Sequence, residues 1–117
     1  MPESKSISTV TVEITESAFL CLQDIESFKI NIIGAEAAGQ FVEQMLSGSV
    51  VAIGNNPTLY RINPDLANFG IRVHERIDEH GYRFLYELQD SVASILLILH
   101  TKQDIVSALF RHMIFRQ

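Results

Sequence analysis

Tryptophan is absent, cysteine occurs once and proline three times in the 117 residues. The single thiol, Cys21, has no partner for an internal disulfide, and His74, His80, His100 and His112 form no pair at zinc-ligand spacing. A disulfide framework is excluded, and neither a structural metal nor any cofactor is expected. No apolar run reaches the roughly 18 residues of a membrane span. The polar residues 1–8 lead into no apolar stretch of the kind a secretory signal carries. The expectation is a soluble, cytoplasmic protein with no membrane partner. Repeats and low-complexity segments are also missing.

What is present suffices for one core, since 47% of the residues are hydrophobic and 20% charged. Residues 1–8 read as a polar N-terminal segment and residues 9–117 as a single domain. Basic residues are scarce in the first half. Residues 1–60 hold Lys5 and Lys29 against Glu3, Glu13, Glu16, Asp24, Glu26, Glu36 and Glu43, so the whole net charge of −5 lies there. Residues 61–117 balance seven basic against seven acidic residues. An acidic chain is a poor general nucleic-acid binder, because that affinity is dominated by phosphate neutralisation. Any surface that faces a polyanion must therefore lie in the second half.

Strand-type alternation over Thr9–Ile14 ends at Thr15, a helix N-cap residue type. Ala18, Leu22, Ile25 and Phe28 then recur at helical spacing to about residue 30, with a break over Asn31 to Gly34. Ala38, Phe41, Val42, Met45 and Leu46 mark a second apolar stripe, running through Val50 and Ile53 to a stop at Asn55-Asn56-Pro57. After a loop containing Asn63-Pro64-Asp65, residues 71–77 and 82–88 alternate as strands around the turn Asp78-Glu79-His80-Gly81. Residues 92–100 are apolar at every position bar Ser94 and the closing His100, the pattern of a strand covered on both faces. A closing helix is expected from Asp104 as N-cap, with Ile105, Leu109 and Met113 on one side. Cys21, flanked by Leu20 and Leu22, reads as a buried structural thiol, and Tyr82 and Tyr86 read as core. His100 reads as a hydrogen-bonded edge histidine, with holding of the Lys102 loop as the sharper alternative.

The fold class is thus α+β: a small antiparallel sheet, formed by the N-terminal strand and a three-strand meander, packed on an N-terminal helix hairpin and followed by a C-terminal helix. Pairing Ile77 with Tyr82 puts Glu75 opposite Phe84, Val73 opposite Tyr86 and Ile71 opposite Leu88, one nearly apolar face. The other face then carries Arg76 opposite Arg83, His74 opposite Leu85 and Arg72 opposite Glu87. Such a basic face suits a phosphodiester or an acidic peptide, and equally a solvated surface where Arg72 pairs with Glu87. His112, Arg111 and Arg116 of the closing helix are further contact candidates.

The order of elements, together with Val12-Glu13-Ile14-Thr15-Glu16-Ser17-Ala18, Leu22-Gln23-Asp24-Ile25, Ala35-Glu36-Ala37-Ala38, Asn56-Pro57, Gly81-Tyr82-Arg83-Phe84-Leu85-Tyr86 and His100-Thr101-Lys102-Gln103-Asp104, resembles the RelE/ParE superfamily of toxins from type II toxin-antitoxin (plasmid stabilisation) systems. The likeness spans residues 9 to about 115. Its most specific part is the Gly-Tyr-Arg strand followed by an apolar strand that ends in His and a basic residue. The resemblance implies an antitoxin that wraps and neutralises the chain.

RelE-like members cut mRNA on the ribosome, and for that activity the resemblance assigns Arg72, His74, Arg83 and Lys102. Two positions depart from the pattern: Gln103 stands where a second arginine is expected, and Leu109 or Phe110 where a tyrosine is. No catalytic residue is therefore assigned with the set incomplete. ParE-like members lack that set, share the long helix hairpin and bind DNA gyrase. The resulting expectation is a ParE-like gyrase-binding toxin, with Arg72, His74, Arg76, Arg83, Lys102, Arg111 and Arg116 contacting target or antitoxin. The alternatives are a ribosome-dependent endoribonuclease and a degenerate, non-toxic member that keeps only antitoxin binding. This assignment depends on a two-sided ribbon, and scatter of Arg72, His74 and Arg83 over different sides, or a closing segment running as coil, overturns it.

Overall fold

The computed structural model describes residues 9–109. In chain order these form β1 (Thr11–Ile14), α1 (Glu16–Ile33), α2 (Ala35–Asn55), a short α3 (Pro64–Ala67), β2 (His74–Ile77), β3 (Tyr82–Gln89), β4 (Val92–His100) and α4 (Ile105–Leu109). Thr15 caps α1 as expected: its hydroxyl oxygen accepts from the Ala18 amide at 3.2 Å and donates to the Ile95 carbonyl at 2.8 Å. The break between the helices shrinks to Gly34, whose φ of 90° and ψ of 164° suit glycine almost alone. Residues 31–33 stay helical. The hairpin is one turn longer than the spacing implies because only Gly34 obliges the chain to leave the helix. Asn56 ends α2.

The four strands lie in the order β1-β4-β3-β2. β3 pairs antiparallel with both β2 and β4, whereas β1 runs parallel to β4, with Thr11 opposite Val92 and Ile14 opposite Ile95. The α+β architecture holds, and the sheet is mixed rather than antiparallel. The two-helix detour brings β1 back beside the last strand, running in the same direction.

One turn decides which side chains share a face. Asp78 N–H donates to the Tyr82 carbonyl and Gly81 N–H to the Asp78 carbonyl, with Gly81 at a φ of 84°. This is a three-residue loop closed by a left-handed glycine. The Asp78 carboxylate tightens it by accepting from the His80 and Tyr82 amides. Ile77 consequently meets Arg83, Arg76 meets Phe84, Glu75 meets Leu85 and His74 meets Tyr86, one residue out of the expected register. Because side chains alternate with period two, that single step reverses the side of the sheet taken by every β2 residue relative to β3. The strand is also shorter than expected, beginning at His74. The preceding segment is held instead by bonds from Asn63 N–H to the Val73 carbonyl and from Glu75 N–H to the Arg61 carbonyl.

Tyr82, Phe84 and Tyr86 face the helix hairpin, where Tyr82 meets the Phe41 ring of α2 edge-on at 6.0 Å. Arg83 and Leu85 take the opposite face, under α3 and α4, where Leu66, Ile105 and Ala108 are buried. β4 is covered on both sides, with Ile95, Leu97, Ile98 and Leu99 all buried, as its unbroken apolar run implies. An irregularity opposite Leu85 and Tyr86 leaves Leu96 as the unpaired residue of β4. Cys21 is buried in α1, and Tyr82 and Tyr86 belong to the core, as expected.

Candidate functional site

Arg83 lies on the α4 side of the sheet, and its charge is already met. Its Nη1 sits 2.8 Å from Glu75 Oε1 and its Nη2 donates to the Thr101 carbonyl at 3.3 Å. Arg61 Nη2 reaches the other oxygen of Glu75 at 3.2 Å, and Asn63 Nδ2 donates to Oε1. Only 2% of the Glu75 side chain and 17% of the Arg83 side chain are exposed, so this pair is largely removed from water. Arg61, at 68% exposed, adds little. Burial pulls the Glu75 carboxyl upward, but the Asn63 hydrogen bond, the Arg83 charge and the two arginine hydrogen bonds together hold it below its usual value. Asn63 does double duty, since its Oδ1 also accepts from Leu66 N–H and so caps α3, whose first residue is Pro64.

His74 and Arg76 lie on the other side, facing the hairpin. The His74 ring stacks on Tyr86 at 5.1 Å, and its Nδ1 lies 2.8 Å from the Tyr60 carbonyl. A carbonyl only accepts, so Nδ1 carries the proton and Nε2 remains as the second polar atom of the ring. The Arg76 guanidinium lies over the Tyr60 ring at 5.8 Å. The loop that brings Tyr60 here is pinned by the Tyr86 hydroxyl, which donates to the Pro57 carbonyl. Burial pushes the Tyr86 phenol well above its usual value, so it stays protonated as this donor.

A third location is the turn after β4. Lys102 N–H donates to His100 Nδ1 at 3.2 Å, and Gln103 Oε1 accepts from the His100 amide at 2.8 Å. The sharper reading of His100 is therefore the observed one: it holds the Lys102 loop. With Tyr82, Asp24, Ile25 and Phe28 these residues line an open recess of about 440 Å³.

The single basic face inferred from the sequence is not formed. Arg83 and His74 lie on opposite sides, Arg76 faces Phe84 rather than Arg83, and Arg72 is exposed, with no ion pair to Glu87. Of the four residues of the nuclease reading, only Arg83 and the Lys102 turn meet, through Thr101. Arg111, His112 and Arg116 lie outside the described residues. Glu75, Asn63, Arg61 and Tyr60 were missed as partners. The Asn63-Pro64 helix start was a signal that could have found Asn63.

No protein-family model matches the sequence, and no curated protein does. Among solved structures, a chain described as belonging to the "Chromosomal ParDE TA system from P. aeruginosa" superposes with a TM-score of 0.67 at 17% sequence identity, covering 81% of this chain and 99% of that one. The likeness rests on the order and packing of elements and survives the scatter of the basic residues, which was therefore the wrong criterion for it. The chain has the RelE/ParE-like fold that its motifs resemble.

Proposed function

We propose that the chain is the toxin of a type II toxin-antitoxin pair, acting in the cytoplasm in the ParE-like manner by binding DNA gyrase and neutralised by a cognate antitoxin. Support comes first from the fold shared with a chain of a ParDE system over nearly all of that chain's length. Fold alone says little about target. The observation that carries the choice of target is the Glu75–Arg83 pair. An arginine that stabilises a phosphodiester in its transition state must present unpaired donors to it. Here one guanidinium nitrogen is held by a buried carboxylate, another by a backbone carbonyl, and the third, Nε, is unpaired but enclosed, out of reach of an incoming phosphodiester. With His74 across the sheet, the groups of the ribonuclease reading do not converge, which favours a protein-binding toxin without chemistry of its own.

Expression of the chain alone from a tight promoter tests this directly. The expected result is growth arrest with loss of supercoiling and accumulation of cleaved DNA while protein synthesis continues at first. Immediate arrest of translation with mRNA cut within codons would establish the ribonuclease instead. Normal growth would point to a member that retains antitoxin binding only.

A further inference from the structure

Arg76 is a cation the fold leaves without a counter-charge. It is half-buried, and its Nε is enclosed with no hydrogen-bond acceptor. Among the described residues no carboxylate lies within ion-pair distance of it, although Glu75 beside it in sequence is shared by two other arginines. Enclosed donors without partners are uncommon and costly. The guanidinium is nevertheless held in place, laid over the Tyr60 ring. Two residues earlier on the same strand face, roughly 7 Å away by strand geometry, His74 is fixed between Tyr86 and the Tyr60 carbonyl. The exposed Arg72 precedes it.

We infer that Arg76, His74 and Tyr60 form an anion site that takes a side-chain carboxylate of a protein partner. The enclosed Nε fixes the plane of the guanidinium, whose two Nη atoms match a carboxylate two-pronged, and partial burial strengthens the attraction over that of a surface lysine. The choice of a carboxylate over a nucleic-acid backbone follows from charge. Polynucleotide affinity accumulates over several neutralised phosphates. This chain carries −5 overall and has committed Arg61 and Arg83 to Glu75. One held arginine with an exposed neighbour suits one or two acidic side chains. The site lies across the sheet from Arg83 and does not depend on gyrase being the target.

The test is a nitrogen-15 NMR titration of the full chain, following the Arg76 Nε–H signal. The probes are a blocked peptide of alternating Glu and Leu, its Gln counterpart, a single-stranded oligonucleotide and inorganic phosphate. The Glu peptide alone should move the Arg76 and His74 signals. Arg76→Gln should weaken its binding roughly tenfold or more and Arg76→Lys by less, as loss of a charged hydrogen bond implies. Equal shifts with the Gln peptide, tighter binding of the oligonucleotide, saturation by phosphate alone, or no shift with any probe would each overturn the assignment. The wild-type titration decides this even if Arg76→Gln fails to fold.

Discussion

Glu75 occupies a position where an ionised carboxylate survives because three donors from three side chains converge on it. Removing it leaves Arg83 enclosed and uncompensated. Glu75→Ala should therefore cost about 3 kcal/mol, the lower end for one partner of a buried pair. Glu75→Gln, which keeps the shape, should cost less, and chemical denaturation measures both. The pH dependence has a definite sign. The folded value lies below the ordinary 4.5, so the stabilisation is complete above about that pH and is lost as the pH falls through the folded value. The wild-type denaturation midpoint should drop more steeply below pH 4.5 than that of Glu75→Gln. This network was not legible in the sequence because its members come from separate stretches, Arg61, Asn63, Glu75 and Arg83, whose meeting depends on one turn.

Among the elements, the strongly patterned ones could be read directly. The cap at Thr15, the stop at Asn56, the two-sided burial of β4 and the Asp104 cap, whose Oδ1 accepts from the Val106 amide, all follow from local chemistry. Thr15→Ala should destabilise the fold by about 1 kcal/mol or somewhat more, because the hydroxyl ties the helix start to β4 as well as capping it. Gly34→Ala meets no neighbouring atom, yet its φ of 90° should still cost about 1–3 kcal/mol. Thermal unfolding of the two variants separates a lost cap from a strained link. What could not be read was the β2–β3 register. A four-residue and a three-residue turn are both compatible with Asp78-Glu79-His80-Gly81, and the pattern of apolar residues in β3 alone cannot choose between them. The cost of that ambiguity was large, since it moved Arg83 from a presumed open face to a closed one.

At the scale of the molecule, the hairpin and the sheet make unequal contributions to charge. The acids of residues 1–60 lie largely on the helices, and among the described residues the arginines without an ion pair, Arg72 and Arg76, lie on β2 and just before it. Raising the ionic strength should therefore weaken an acidic partner's association far more than it alters folding stability, because exposed charges are screened and the core is not. Binding isotherms at two salt concentrations beside matched unfolding curves would check this. The architecture was legible because element order follows from periodicity. The parallel placement of β1 was not, because nothing in four alternating residues states which strand they will join.

That placement has a kinetic side. The hydroxyl of Thr15 bonds to a carbonyl 80 positions further along, and Thr11 pairs with Val92. At roughly 5–20 residues per second, a ribosome that has made the hairpin works on for about 2–9 seconds before the strand that covers it is complete. Throughout that interval the hairpin's apolar stripe is wet. A message truncated between the codons for Asn55 and Val92 should yield a sticky helical fragment, because the strand that both β1 and Thr15 bond to is missing from it.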